Sequence, residues 1–230
     1  MCRLGVLVKG MDMRSLTLGV LAVTSMMLCG CGGVYYNTME KLGYAKRDML
    51  VDRVQEARDA QEEAKQQFQS ALEQFTAVTN FQGGDLEKMY NKLKGEFDRS
   101  ESKAQAVTKR INDVESVGEA LFKEWESELD QYSSPDLRRL SEDKLRQTRL
   151  RYARVVAAMR SAEMKIDPVL TAFRDQVLFL KHNLNAQALA SLQNELVSIE
   201  TNVAGLIQEM EASIAEANAF IEAMNRDEKK

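Results

Sequence analysis

The chain has few side chains that could ligate a metal or act as strong nucleophiles. It contains three cysteines and one histidine in 230 residues. Cys29 and Cys31 stand two residues apart in the sequence LCGC, a spacing at which two thiolates could bind a metal or form a redox pair. No further cysteine or histidine lies near them in the sequence to complete such a site. We therefore favour another role for this pair.

The residues before LCGC indicate export. Arg14 is followed by SLTLGVLAVTSMML, an apolar run without charge, which is typical of a secretory signal peptide and too short to span a bilayer comfortably. LCGC resembles the lipobox of bacterial lipoproteins, and this resemblance implies cleavage after Gly30 and lipidation of Cys31. We predict a signal peptide at 1–30 and a lipid anchor in the membrane. Gly32, in place of aspartate, favours the periplasmic face of the outer membrane.

The remaining residues do not form an enzyme motif. The single histidine, His182, is preceded at the third position by Phe179, so the Glu-x-x-His motif of di-iron helical bundles is missing. A Gly-x-Ser-x-Gly nucleophile elbow is also missing from the sequence. We predict no enzyme activity, no catalytic residue, no metal site and no cofactor. The net charge of −4 argues against general binding of nucleic acid.

Apolar residues recur in alternating steps of three and four, the spacing of a buried helix face. They do so in four segments, at about residues 38–80, 86–132, 135–182 and 186–225. Long helices of similar length with short connections predict an all-α fold, an elongated antiparallel up-down four-helix bundle resembling a coiled coil. The third helix keeps its register across Pro168, so we favour one helix with a kink there over two separate helices. The bundle would span 38–225, between a lipidated tether at 31–37 and a charged tail at 226–230.

The predicted hairpin of the first two helices turns at TNFQGGD and pairs side chains of matching size. The facing pairs are Phe68 with Phe97, Ala64 with Ser100, and Gln61 with Ala104. Large residues then face large ones and small residues face small ones, as close packing requires. We also predict that Gln61 bonds a polar group across the bundle and fixes the alignment of the helices.

Basic residues are concentrated at the start of the third predicted helix. We call them the arginine strip; its members are Arg138, Arg139, Lys144, Arg146, Arg149, Arg151 and Arg154. The hairpin would place the strip beside acidic residues of the second helix, which lie within 113–130. Two interpretations are open: the strip forms ion pairs with those acids, or it binds phosphate, lipid headgroups or nucleic acid. We favour the ion pairs because the acids lie where the hairpin requires them.

Three longer stretches carry a family resemblance: YYNTMEKLGYAKRDMLVDRVQEARDAQEEAKQQFQSALEQF, LRRLSEDKLRQTRLRY and PVLTAFRDQVLFLKHNLNAQALASLQ. They resemble an uncharacterised Gram-negative lipoprotein family, domain of unknown function 2959. The resemblance covers nearly all of the chain after LCGC and implies a helical lipoprotein without known catalytic residues. Some members are labelled DNA repair ATPases, but GGDLEKMYNKLKG lacks the Gly-Lys-Ser/Thr end of a phosphate-binding loop.

These patterns lead to a functional expectation. We expect a periplasmic protein with a structural or protein-interaction role as a scaffold or adaptor, held to the membrane by its lipid. An unknown periplasmic or envelope protein would be its partner, and the partner contacts would lie in the turns near residues 80–85 and 181–187, at Phe81, Gln82, His182 and Asn183. The alternative is a lipid-surface-binding or lipid-handling protein whose wide apolar helix faces open onto membrane.

Overall fold

A repeat of buried side chains organises the first helix. We analysed a computed structural model that describes residues 45–81, 83 and 85–228, all within one unit, Tyr44–Lys230. Helix α1 spans Lys46–Thr79. Every position that the sequence pattern assigns to its core is buried: Leu50, Val54, Ala57, Gln61, Ala64, Phe68, Ala71, Phe75 and Val78. The spacing of these residues therefore determines which face of α1 packs inward.

Helices account for the other elements of the described residues, and none of those residues forms a strand. Helix α2 spans Leu86–Glu128 and continues into a short 3-10 turn at Leu129–Gln131. Helices α3 and α4 span Pro135–Met164 and Ile166–His182, and α5 spans Ala186–Glu228. The all-α fold class is thus confirmed. Among these helices, none has an apolar stretch sufficient to cross a membrane.

The third predicted helix is interrupted, and the interruption lies before Pro168 rather than at it. Helix α3 ends at Met164, Lys165 forms a turn, and α4 begins at Ile166. The N–H of Lys165 bonds the carbonyl of Ala162 at 3.1 Å, which closes the last turn of α3. Proline has no N–H and its ring clashes with the carbonyl four residues earlier, here that of Met164. The break therefore falls one turn on the N-terminal side of the proline.

The helix ends differ modestly from those predicted. Helix α1 begins at Lys46, after Ala45 in extended conformation, and residues 38–44 lie outside the described part. Helix α2 ends at Glu128 instead of 132, because the chain tightens into the 3-10 turn. Helix α5 continues through Glu228, so 226–228 extend the helix instead of forming a separate tail.

Helices α1 and α2 contact each other in opposite directions. Nζ of Lys103 bonds Glu63 at 2.7 Å, and further along both helices Arg110 bonds Glu56 at 2.7 Å. Near the end of the pair, the amine of Lys46 bonds Glu124 at 2.7 Å. Residue numbers thus rise along α1 as they fall along α2. The bond from Gln67 Nε2 to the Glu96 carboxylate, at 2.6 Å, agrees with the predicted pairing of the adjacent Phe68 and Phe97.

Helix α5 also contacts α1 in the opposite direction. Arg58 bonds the side-chain oxygen of Asn218 at 3.0 Å, and Lys65 lies 3.8 Å from Glu211. Between α3 and α5, the hydroxyl of Ser161 donates to Glu209 at 2.8 Å. Helix α5 therefore packs against both α1 and α3, and its buried residues complete the core.

Candidate functional site

The turn between α1 and α2 is held by backbone bonds and a helix cap. The N–H of Asn80 bonds the carbonyl of Thr76 at 3.1 Å, and that of Phe81 bonds Val78 at 3.2 Å. Gly83 has a φ of 149°, a conformation that favours glycine. Asp85 then caps α2 by accepting the backbone N–H of Lys88 at 3.0 Å. The described residues of TNFQGGD thus end α1 and cap the start of α2.

Two asparagines fix the turn between α4 and α5. Asn183 donates its side-chain amide to the carbonyl of Phe179 at 2.9 Å, which satisfies a carbonyl in the last turn of α4. The side chain of Asn185 accepts the N–H of Ala188 at 2.9 Å and so caps the first turn of α5. The N–H of Asn185 also bonds the carbonyl of Asn183 at 3.0 Å. The two asparagines therefore have a structural role in this turn, because their side chains bond backbone groups at the ends of α4 and α5.

The two turns lie at the same end of the helices. Gln193, in the second turn of α5, donates its side-chain amide to the carbonyl of Thr79 at 2.9 Å. Thr79 is the last residue of α1 and precedes the first turn, whereas Gln193 follows the second. We call this region the paired-turn end, defined by residues 80–85 and 183–185.

The predicted partner-contact residues differ in accessibility. His182 is exposed, whereas Phe81 and Asn183 are half-buried. Gln82 lies outside the described residues, as do Gly30 and Cys31 of the predicted lipidation site. In the described part of the chain, His182 is therefore the predicted contact residue most available to a partner.

Three exposed apolar side chains beside the second turn were not predicted from the sequence. Leu178 is 52% exposed, Phe179 39% and Leu184 41%; we call them the turn-flanking apolar residues. Leu178 and Phe179 lie outside the three-four spacing, which places Phe173, Val177 and Leu180 in the core, and this was the available signal for them. Leu184 continues that spacing four residues after Leu180, but it lies beyond the end of α4. Large exposed apolar side chains that form a patch mark interaction sites, so these three residues are candidates for partner contact.

The arginine strip forms ion pairs of two kinds. Two reach α2 or the residues after it: Arg149 bonds Glu126, and Arg138 bonds Asp130 at 3.1 Å. Others stay within α3, as Arg146 does with Asp143. The bond from Arg149 lowers the pKa of the Glu126 carboxyl. The predicted ion pairs with the acids of 113–130 are therefore confirmed for Arg149 and Arg138, whereas Arg146 and Arg139 pair with acids of α3 itself.

Arg160, an arginine of α3 outside the strip, makes several bonds to α2. Arg160 bonds Glu115 through both Nε and Nη2, and Nη2 also reaches the side chain of Asn112 at 2.7 Å. Its Nη1 bonds Glu163 at 2.6 Å within α3. These hydrogen bonds, first of all those with Glu115, raise the pKa of Arg160 above its usual value. The forked guanidinium thus fixes the two helices in register.

Helix α3 also exposes three leucines, Leu137, Leu140 and Leu150, each more than half accessible. They alternate with members of the arginine strip along the sequence LRRLSEDKLRQTRLR. A surface that interleaves leucine with arginine can contact both the apolar and the charged parts of a lipid interface.

A groove with a volume of about 560 Å³ lies between α2 and the break that separates α3 from α4. Its floor is nearly buried and apolar, at Ala104, Ile166 and Leu170. Acidic and basic side chains, including Glu101 and Arg174, form the walls, and these two bond each other at 3.2 Å. Within the residues that the structure describes, no group of His, Cys, Asp and Glu side chains is arranged to hold a metal ion.

A family model matches the chain over most of its length. It is described as protein of unknown function (DUF2959), and it covers residues 35–224. The chain belongs to this family. The DUF2959 match includes all of α1 to α4 and nearly all of α5, so it contains both turns of the paired-turn end. A search of curated proteins found no match to the chain.

Proposed function

We propose that this DUF2959 protein is a lipid-anchored scaffold of the cell envelope, held through Cys31 on the periplasmic face of the outer membrane. The LCGC sequence after an uncharged apolar run supports the anchor. We further propose that the helices form an antiparallel up-down four-helix bundle, with α3 and α4 together as one member. The opposed directions of the α1–α2 and α1–α5 contacts support this arrangement.

The observation that carries the scaffold proposal is the accessibility of the turn-flanking apolar residues. Leu178, Phe179 and Leu184 lie beside a turn whose backbone is fixed by Asn183 and Asn185. A preorganised turn loses little conformational freedom when a partner binds, so its apolar groups can contribute more of their burial energy to affinity. The paired-turn end is therefore the proposed contact surface for an envelope protein.

The anchor is tested by comparing the wild-type protein with Cys31→Ser in fractionated cells. We expect the wild-type chain in the membrane fraction, with acyl groups on a new N-terminal Cys31 by mass spectrometry. We expect the serine variant to keep its signal peptide and lack the acyl groups, because the modified thiol is gone. An unmodified Cys31 in the wild-type protein would refute the anchor.

Partner contact is tested with photo-crosslinking residues placed in living cells. A crosslinker at His182 should capture a discrete envelope protein, whereas one at Ser102, exposed on α2, should not. Replacing Leu178 and Leu184 with serine should abolish the product from position 182 without changing the melting temperature. Capture from Ser102 or the arginine strip, with none from His182, would place the contact elsewhere.

The second candidate function is binding to a lipid surface, which the exposed Leu137, Leu140 and Leu150 favour. Residues 32–230, expressed without the signal peptide and without Cys31, should then float with phospholipid vesicles, and Leu137→Ser with Leu140→Ser should prevent this. A scaffold without this activity would ignore the vesicles. The two candidate functions thus give opposite results in one flotation experiment.

A further inference from the structure

Two members of the arginine strip and one arginine of α5 line a cavity between α3 and α5. Arg151 and Arg154 line it from α3, and Arg226 lines it from α5. These residues surround a volume of about 240 Å³, together with one acid, Glu216. Because a water molecule occupies about 30 Å³ in the liquid, the cavity can hold a small anion with several waters.

The spacing of small residues on α5 explains the cavity. Ala219 and Ala223 lie one turn apart on the face that lines it, and Phe220 beneath them is almost completely buried. A methyl group is too short to fill the space that a larger side chain would occupy between two helices. A recess therefore opens above the core, and its floor is rigid because Phe220 is packed within it.

Most of the charged side chains that line this cavity are basic. Three guanidinium groups line it with a single carboxylate, whereas the chain as a whole carries a net charge of −4. Two other members of the arginine strip, Arg146 and Arg149, lie outside the cavity and bond carboxylates there. The cavity therefore carries an excess of positive charge although the chain as a whole is acidic.

We propose that this cavity binds a phosphate group, carried either by a small soluble phosphate compound or by a lipid headgroup. Arg151 and Arg154 lie three residues apart, so their side chains leave the same face of α3, and Arg226 approaches from the opposite wall. Planar guanidinium groups bond phosphate oxygens in pairs and keep their charge at every physiological pH. The site does not depend on the proposed partner contact at the paired-turn end.

Calorimetric titration tests this site. Residues 32–230, expressed without the signal peptide and without Cys31, are titrated with inorganic phosphate, pyrophosphate, and dihexanoyl phosphatidylglycerol below its micelle concentration. We expect binding of at least one probe, and a loss of about tenfold or more in affinity in Arg154→Gln with Arg226→Gln, because two charge-assisted contacts are removed. Glu216→Gln should increase affinity by removing the acid that competes with the anion.

The matched control is Arg138→Gln with Arg139→Gln, which removes the same charge from exposed positions on α3 outside the cavity. Both positions lie at least 12 residues before Arg151, about 18 Å along the helix, so screening should leave the affinity within about twofold of the parent. Binding of phosphatidylglycerol but not of the soluble phosphates would identify a headgroup site, and the reverse a site for free phosphate compounds. If no probe binds, or if both double variants lose affinity equally, the proposal is wrong.

Discussion

Ser213 and Gln61 form a completely buried hydrogen bond between α5 and α1. The hydroxyl of Ser213 donates to the side-chain oxygen of Gln61 at 2.8 Å, and neither residue is exposed to solvent. Within the described residues, the Gln61 amide nitrogen has no hydrogen-bond partner. The predicted polar pairing of Gln61 across the helices is therefore confirmed for its side-chain oxygen. The pairing does not satisfy the amide nitrogen of the same side chain.

Removing the donor of this bond should destabilise the protein. Ser213→Ala leaves the Gln61 oxygen buried without a partner, so we expect the free energy of unfolding to fall by about 1–3 kcal/mol. Adding Gln61→Leu should restore most of the loss, since both polar groups are then gone. Urea denaturation measures each change. Ser191→Ala, at an exposed position of α5, is the control, and equal losses at both serines would contradict the prediction.

Enlarging Ala64 should also destabilise the contact between α1 and α2. Ala64 is completely buried, beside Gln61 and close to Ser100 in the predicted register. Leucine at this position adds three carbons to a filled layer, so we expect Ala64→Leu to cost about 1–3 kcal/mol. Ala106→Leu, on the exposed face of α2, should change the stability little. Thermal melts of the two variants that coincide would show that this layer is not closely packed.

The core could be predicted from the sequence because each helix repeats one requirement. A buried stripe needs an apolar or small residue every three or four positions, and α1 keeps this spacing from Leu50 to Val78. The register of α1 and α2 followed from the same rule, since Phe68 and Phe97 are large where Ala64 and Ser100 are small. The periodicity of apolar and small residues was thus sufficient to predict the buried face of α1 and its register with α2.

The candidate surfaces were less predictable because they depend on residues outside the repeat. Leu150 and Phe179 are exposed although their types favour burial, and the pattern of α3 and α4 could not show what surrounds them. The break at Lys165 depends on Pro168, three positions later, through a clash with an earlier carbonyl. Some members of the arginine strip pair with acids of α2 or α3, and others line the cavity against α5. The sequence pattern could not show which members face α5.

Tyr152 should make stability depend on pH in the alkaline range. Burial, and then the charges of Glu115 and Glu119, raise the pKa of Tyr152 from 10.0 to about 12. The folded protein therefore holds the phenol proton more tightly than the unfolded chain does. The resulting stabilisation is complete below pH 10 and is lost as the pH rises to 12. Absorbance near the phenolate band should show a phenol that titrates late in the folded protein.

The control for this pH dependence is a pair of phenylalanine variants. Tyr152→Phe should lose less unfolding free energy between pH 10 and 12 than the wild-type protein loses, since it has no proton to release there. Tyr132→Phe, at an exposed position, should follow the wild-type curve. Identical curves for Tyr152→Phe and the wild-type protein would contradict the prediction.

Even an alanine side chain at position 118 of α2 should destabilise the protein, because Tyr152 occupies the space next to Gly118. A Cβ at Gly118 would lie 2.5 Å from two ring carbons of Tyr152 and 2.6 Å from its hydroxyl oxygen. The ring also packs edge-on against Phe122, with centroids 5.1 Å apart, so it cannot withdraw without losing that contact. Overpacking of this kind costs about 1–3 kcal/mol, more than the 0.5–1 kcal/mol, roughly, that alanine gains over glycine within a helix.

Gly118→Ala should therefore lower the free energy of unfolding, whereas Gly205→Ala should raise it. Gly205 lies within α5, and a Cβ there would have no heavy atom within 4 Å, so only the gain in helix propensity of about 0.5–1 kcal/mol remains. Urea denaturation of both variants measures the contrast. Combining Gly118→Ala with Tyr152→Ala should remove the clash, so alanine at 118 should cost less in that background than in the wild-type protein. If Gly118→Ala stabilises the protein as much as Gly205→Ala does, Tyr152 is not held against α2.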